Sequence, residues 1–151
     1  MATKLRVYLD TSVFSAYFDD RVRDRQAATE EFWQRLGDFE ISTSTVAQEE
    51  LLMTVDENLR SRLKKLLSVA VVHALTHEMR ELALRYIREG IFTAAMANDA
   101  LHVAAAVLTR QDVLVSWNFR HLVNRRRRAQ IAEVDTRLGL PAIEIVAPPE
   151  L

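Results

Sequence analysis

Apolar and polar positions along the chain follow two alternating patterns, one typical of buried strands and one typical of amphipathic helices. Short apolar runs rich in β-branched residues are separated by longer segments whose apolar residues recur every three to four positions. This alternation predicts an α/β fold with a mostly parallel sheet. The predicted strands are 5–10, 39–42, 69–73, 113–116 and 142–146, and the predicted helices are 13–18, 25–37, 45–55, 57–67, 76–89, 98–109 and 125–138.

Two further local signals mark where regular structure stops. Gly90 follows the helix predicted over 76–89 and is expected to cap it. The Pro148-Pro149 pair near the end of the chain is expected to end regular structure, because proline cannot donate a backbone hydrogen bond.

Length and composition narrow the classes of function. With 151 residues the chain is expected to form one domain over 1–151. It has no cysteine, which excludes disulfides, a thiolate zinc site and a cysteine nucleophile, so a hydrolytic metal would need oxygen or imidazole ligands. Lysine and arginine total 20 against 21 acids, a formal net charge of −1, so any nucleic-acid site has to be local.

The sequence pattern predicts neither a targeting segment nor a membrane-spanning segment. Residues 1–4 run directly into the first predicted strand, without the long apolar core of a signal peptide. The longest apolar run, 100–108, is interrupted by His102 and is much shorter than the roughly 18 residues of a membrane span. We therefore expect a cytoplasmic protein that does not contact the membrane.

Three acids occupy positions that suggest chemistry, and each also has a structural explanation. Asp10 ends the first predicted strand, where parallel sheets collect ligands, but an aspartate there also caps a helix. Glu50 falls among the apolar positions of its helix, whereas Glu49 falls toward the flank, and a buried salt bridge explains Glu50 as well as a metal site does. Asp99 lies in a first helical turn, where it complements the helix dipole. His102, one turn later, is more simply a hydrogen-bonded histidine than a ligand.

These three acids would repel one another if the sheet brought them together. A cation would then be needed, and carboxylates without thiolates suit Mg²⁺ or Mn²⁺. Such a centre is typical of phosphodiester hydrolysis.

Four segments, in this order and spacing, resemble the motifs of the PIN-domain nuclease family, and specifically the VapC-type toxins of prokaryotic toxin-antitoxin pairs. The first is Val-Tyr-Leu-Asp-Thr-Ser-Val-Phe at 7–14, and the fourth is Leu-Val-Ser-Trp-Asn-Phe-Arg-His-Leu at 114–122. The second and third lie at 44–51 and 98–104. The resemblance implies a three-layer α/β/α sandwich and a metal-dependent endoribonuclease. It also implies an RNA substrate, a cognate antitoxin and a homodimer.

The same resemblance assigns roles within the site. Asp10, Glu50 and Asp99 would be the catalytic acids that bind Mg²⁺ or Mn²⁺, and Ser116 would be the hydroxyl residue beside the metal. Asn118, which we include with the catalytic residues, stands where many members carry aspartate. An amide oxygen still orients water, but the lost charge leaves open a one-metal site or reduced activity. The alternative function is therefore a catalytically weak PIN module that binds RNA or a protein partner.

The basic run at 125–128, preceded by Arg120, is the concentrated positive feature of the chain. It either contacts RNA phosphates or forms a solvated helix start. Trp117 and Phe119 either stack on RNA bases or pack in the core, and core packing is the more common role. The candidate nucleic-acid contacts are Ser116, Arg120, Arg125 and Arg126.

Two other classes of protein also carry acids at or near the end of the first strand: a haloacid-dehalogenase-type phosphatase has a nucleophilic aspartate there, and a receiver domain has paired acids nearby. A haloacid-dehalogenase-type phosphatase needs an acid two residues later, where this chain has Ser12. A receiver domain needs a lysine after a late strand, but Trp117 and Asn118 follow the strand at 113–116.

The aromatic residues within 13–23 fit a core and a protein interface equally well.

Overall fold

The computed structural model describes residues 3–151. Residues 1 and 2, which belong to the segment considered for targeting and to the predicted domain range, lie outside the described residues. The strands are β1 (Leu5–Leu9), β2 (Phe39–Ser44), β3 (Val71–His73), β4 (Val113–Val115) and β5 (Glu144–Val146). The helices are α1 (Thr11–Ser15), α2 (Arg23–Gln34), α3 (Thr45–Leu52), α4 (Glu57–Leu67), α5 (His77–Arg88), α6 (Ala97–Leu108) and α7 (Arg125–Arg137).

The five strands form one sheet in the order β3-β2-β1-β4-β5, and every neighbouring pair is parallel. Strand β1 is central, and its Val7 lies opposite Ile41 of β2 and Val113 of β4. The apolar run of β4 is fully buried, as expected for a parallel strand covered on both faces. The predicted α/β/α sandwich with a parallel sheet is confirmed.

Helix α6 passes through the centre of the core. All residues from His102 to Val107 are buried, and this segment contains three consecutive alanines. Because alanine adds little volume, the helix packs against α5 and contacts β2 and β4. Asp99 in its first turn is thereby held near the carboxyl ends of the strands.

Several predicted boundaries differ from the structure for local reasons. Strand β2 extends to Ser44, whose side chain then caps α3. Strand β3 begins at Val71 instead of residue 69, because the amides of Val69 and Ala70 still bond to carbonyls of the last turn of α4. Helix α1 begins at Thr11 and ends at Ser15, and a 3₁₀ turn, Ala16–Phe18, follows it.

The expectation that Pro148-Pro149 ends regular structure is wrong. Residues Pro148–Glu150 form a 3₁₀ turn with proline in its first positions. The amides of a first helical turn have no partner within the helix, so proline loses no hydrogen bond there.

Within residues 3–151, no helix has the length and apolar character that crossing a membrane requires.

Strand β4 should be a sensitive point of the fold, because Leu114 is completely buried at its centre. Replacing Leu114 by alanine removes buried methyl groups and leaves a cavity, so we expect a loss of about 2–5 kcal/mol in the free energy of unfolding. Urea unfolding followed by circular dichroism measures it. The control is Leu138→Ala, at a leucine that is 41% exposed, which should change stability by no more than about 0.5 kcal/mol. Equal losses in the two variants would contradict the placement of β4 in the core.

Candidate active site

Asp10 lies at the carboxyl end of the central strand and caps helix α1. Its Oδ1 accepts hydrogen bonds from the backbone amide of Ser12, at 3.0 Å, and from the Ser12 hydroxyl. Its Oδ2 accepts one from the hydroxyl of Ser116, at 2.7 Å, just beyond β4. The capping role considered from sequence is therefore real, and the same carboxylate also joins β1 to the segment that follows β4.

Burial makes the charge of Asp10 unfavourable. The side chain is only 4% exposed, and no lysine or arginine in the described part of the chain forms an ion pair with it. Burial raises the pKa of Asp10; the neighbouring His102 and the hydrogen bonds from Ser12 and Ser116 oppose this effect only in part. Asp10 is thus a carboxylate that a cation would stabilise.

Glu50 of α3, whose side chain is 36% exposed, lies at the outer end of a chain of hydrogen bonds that leads into the core. Its Oε1 accepts a hydrogen bond from the Thr11 hydroxyl at 2.8 Å and lies 3.1 Å from Nε2 of His102. The Nδ1 of His102 lies 2.8 Å from the Tyr8 hydroxyl, which in turn lies 2.7 Å from the hydroxyl of Ser44. The chain connects β1, α3 and α6, so Glu50 is paired within the protein instead of standing alone in an apolar face.

The partners of Glu50 also determine its charge. Burial acts to raise the pKa of Glu50, but the hydrogen bonds from His102 and Thr11 outweigh it and hold the pKa below its usual value. Glu50 is therefore ionised at neutral pH. The neighbouring Glu49 is exposed, as the helical pattern predicted.

Asp99 is held by residues that follow β4. Its Oδ2 lies 2.9 Å from Nδ1 of His121, and its Oδ1 accepts a hydrogen bond from the Asn118 amide at 3.4 Å. The side-chain oxygen of Asn118 accepts a hydrogen bond from the backbone amide of His121 at 2.9 Å, and the backbone amide of Asn118 donates to the Ser116 hydroxyl at 2.9 Å. Asn118 therefore links Asp99 to Ser116, and through Ser116 to Asp10.

A family model described as the PIN domain matches residues 7–120, which is most of the chain. The chain belongs to the PIN domain family. PIN domains are nucleases and generally use divalent metal ions. A comparison with curated protein sequences finds no match.

Solved structures with a similar fold include complexes of toxins with antitoxins. VapBC2 from Rickettsia felis, bound to a DNA fragment from its promoter, shares 15% identity and a TM-score of 0.60, over 95% of this chain and 98% of that chain. DNA-bound VapBC from Salmonella typhimurium shares 16% identity and a TM-score of 0.61, over the same shares of the two chains. A toxin-antitoxin complex from Klebsiella pneumoniae shares 18% identity and a TM-score of 0.58, over 76% of this chain and 88% of that chain. At these identities the likeness shows the fold alone.

The donor chemistry of this PIN domain fits a hard divalent cation, but its side chains are engaged with one another. Across residues 3–151, no three histidine, aspartate or glutamate side chains are grouped so that they could hold a metal ion. Glu50 is hydrogen-bonded to His102, and Asp99 to His121. The buried carboxylate of Asp10, in contrast, accepts hydrogen bonds only from hydroxyl and amide groups. A bound cation would stabilise its negative charge.

The four arginines at 125–128 divide into two that face solvent and two that bond to backbone carbonyls of this PIN domain. The Arg127 guanidinium bonds to the carbonyl of Ile91 and lies 5.1 Å from the ring centre of Phe92. Arg128 donates to the carbonyl of Ile145 in β5 at 3.0 Å. These two arginines are structural, whereas the candidate contacts Arg120, Arg125 and Arg126 are exposed.

Several site residues were missed by the sequence analysis. Thr11, Tyr8 and Ser44 complete the hydrogen bonds around Glu50 and His102, and His121 pairs with Asp99. The signal for Thr11 was its position directly after Asp10, and the signal for Tyr8 was its position two residues before Asp10, in the same strand. His121 lies three residues after Asn118, close enough to return to it across a tight turn.

Replacing Asp10 by asparagine should stabilise the metal-free protein at neutral pH. The folded-state pKa of Asp10 lies above its unfolded value, so ionisation disfavours the fold, and this cost appears as the pH rises through the folded pKa. Asparagine carries no charge and retains an acceptor for Ser12. Thermal unfolding in EDTA should show a higher melting temperature for Asp10→Asn at pH 8, with the difference from wild type shrinking toward pH 4. The exposed control Asp20→Asn should match wild type; a less stable Asp10→Asn at pH 8 would contradict the interpretation.

Proposed function

We propose that this protein is a metal-dependent endoribonuclease and the toxin of a type II toxin-antitoxin pair, formed by one PIN domain over 1–151 and acting in the cytoplasm. The observation that carries the proposal is the buried Asp10 carboxylate at the end of the central strand. Glu50 and Asp99 are connected to the same edge of the sheet through Thr11 and through Asn118 with Ser116. Membership of the PIN family supports the class of reaction.

Asp10, Glu50 and Asp99 are the residues that would hold Mg²⁺ or Mn²⁺. When bound, such an ion makes water a better nucleophile at neutral pH and stabilises negative charge on a phosphate. Glu50 and Asp99 would exchange their contacts with His102 and His121 for the cation. Metal binding would therefore compete with two hydrogen bonds that the protein makes by itself.

The surrounding residues would orient the acids and the RNA. The Ser116 hydroxyl fixes Oδ2 of Asp10, so that the carboxylate keeps one orientation. Asn118 holds the turn that carries His121 and donates to Asp99. Ser116 is completely buried, so it would act on the RNA only through Asp10, whereas the exposed Arg120, Arg125 and Arg126 would contact RNA phosphates.

A cognate antitoxin is the proposed protein partner, and two copies of the chain are proposed to associate as a homodimer. Support for the antitoxin comes from the solved structures of similar fold, which are two DNA-bound VapBC structures and one toxin-antitoxin complex. Asn118 favours a second candidate function, a catalytically weak module that binds RNA or protein, because it supplies an amide where a carboxylate would add charge to the site.

The three acids should be essential for cleavage. Asp10→Asn, Glu50→Gln and Asp99→Asn each remove one charge that attracts the cation, so we expect metal-stimulated cleavage of a single-stranded RNA to fall roughly 100-fold or more. Glu49→Gln is the matched control, since Glu49 is adjacent in sequence but exposed. It should retain wild-type activity. Cleavage that survives both Asp10→Asn and Asp99→Asn would contradict the assignment.

Metal binding by these variants has a readout that does not need cleavage. Saturating Mn²⁺, at about 100 times its dissociation constant, should stabilise wild type by about 2.7 kcal/mol in thermal unfolding and should not stabilise Asp10→Asn. If wild type binds RNA saturably but shows neither metal stabilisation nor metal-stimulated cleavage, the second candidate function replaces the first.

The exposed arginines should account for most of the salt dependence of RNA binding. Replacing Arg125 and Arg126 by glutamine removes two phosphate contacts, so for a single-stranded RNA the slope of log K against log salt concentration should become shallower by about 1.4. Binding is measured by fluorescence anisotropy on Asp10→Asn, which leaves the RNA intact. Arg88→Gln, at an exposed arginine of α5, serves as the control and should keep the slope. An unchanged slope in the double variant would refute the contact.

A further inference from the structure

Two aromatic residues that follow β4 have opposite environments. Trp117 is 8% exposed, whereas Phe119, two positions later, is 48% exposed. The sequence does not distinguish these two rings, and each of them was expected either to stack on bases or to pack in the core. The structure separates them, and only Phe119 presents a ring to solvent.

Trp117 is fixed from several directions. Its indole nitrogen donates a hydrogen bond to the Thr29 hydroxyl at 2.9 Å, and its backbone amide donates to the Ser12 hydroxyl at 2.9 Å. The guanidinium of Arg25 lies over the ring, 5.2 Å from its centre. Because Ser12 is itself bonded to Asp10, the position of Trp117 is tied to the candidate active site.

Phe119 rests against this fixed ring. The two ring centres are 6.0 Å apart at an angle of 65°, an edge contact that leaves much of the phenyl ring uncovered. Its backbone amide donates to the Trp117 carbonyl at 2.9 Å, and its carbonyl accepts a hydrogen bond from the Asn124 side chain at 3.0 Å. The backbone is thus held on both sides, so little backbone freedom would be lost when a ligand covers the ring.

The neighbours of Phe119 indicate what covers it. Asn118 on one side bonds to Asp99, and Arg120 on the other side is exposed. A ligand that spans this turn would meet a candidate metal-binding acid, an aromatic face and a cation in succession. RNA matches this order with a scissile phosphate, an unstacked base and a further phosphate.

We infer that Phe119 is a binding residue that stacks on one RNA base next to the scissile phosphate. The inference rests on the proposed ribonuclease function and adds a base-stacking residue to it. A base reaches an exposed phenyl ring only when it is unpaired, so the stacking site selects single-stranded or looped RNA. It tolerates different bases, because each base has an aromatic face.

Phe119→Ala should raise the KM for a single-stranded RNA by about 5- to 100-fold with little change in kcat, because stacking contributes to substrate binding before the reaction. Phe119→Leu keeps an apolar side chain without an aromatic face and should behave like alanine, whereas Phe119→Tyr should retain the wild-type KM. Leu84→Ala, at a leucine that is 42% exposed on α5, is the matched control for losing exposed apolar surface and should change nothing. Circular dichroism checks that all variants fold.

A series of RNAs that each lack one base locates the contact. Wild type should lose affinity when the missing base is the one stacked on Phe119, and Phe119→Ala should lose nothing further on that same RNA. Equal KM values for wild type and Phe119→Ala on every RNA would overturn the stacking inference while leaving the nuclease function in place. A wild-type KM for Phe119→Leu would also overturn the stacking inference, because Phe119 would then contribute only apolar surface.

If wild type shows no metal-stimulated cleavage, the nuclease function fails and fluorescence decides the stacking inference separately. RNAs that carry 2-aminopurine at each position in turn are bound to Asp10→Asn, and the RNA whose labelled base stacks on Phe119 should lose fluorescence, because stacking quenches the base. The added substitution Phe119→Ala should prevent that loss. Equal quenching with and without the phenyl ring would overturn the inference.

Discussion

The site depends on one constraint, the burial of the Asp10 carboxylate at the end of the central strand. A charged group in that position is unfavourable unless donors surround it, and the donors come from two different parts of the chain. Ser12 supplies an amide and a hydroxyl from the first turn of α1, and Ser116 supplies a hydroxyl from the segment after β4. Satisfying this carboxylate therefore requires β1 and β4 to be neighbours in the sheet, and the same hydrogen bonds bring the end of β4, with Asn118, beside it.

The second acid, Glu50, is stabilised by a longer chain of hydrogen bonds. Glu50 is not isolated among apolar residues, because His102 and Thr11 contact it and Tyr8 and Ser44 continue the chain of hydrogen bonds into the core. A buried network of this kind rigidifies the protein only when all its members are paired. The acids thus do two things. They are held in place by the fold, and they remain candidates for a cation that would replace some of their present partners.

Local patterns explain why most of the architecture could be predicted. The strands are short segments rich in apolar and β-branched residues, and the spacing of apolar residues around Glu50 identified it as the more buried member of a glutamate pair. The hydrogen-bond partners were not predictable in the same way, because Tyr8 and His102 are 94 residues apart and Asp99 and His121 are 22 apart. The four consecutive arginines are alike in sequence, and only the neighbouring carbonyls of Ile91 and Ile145 make two of them structural.

Under the proposed function, this division of the arginines changes how RNA affinity would arise. A run of four charges plus Arg120 would provide about five phosphate contacts, but with Arg127 and Arg128 bonded to backbone carbonyls only about three remain. Three contacts give modest affinity and weak salt dependence, and they carry no preference among RNAs. Under the proposed function, the remaining affinity has to come from the metal centre and from contacts with bases. Phe119 is a half-exposed ring beside that centre, so selectivity for unpaired RNA would depend more on the shape of the site than on its charge.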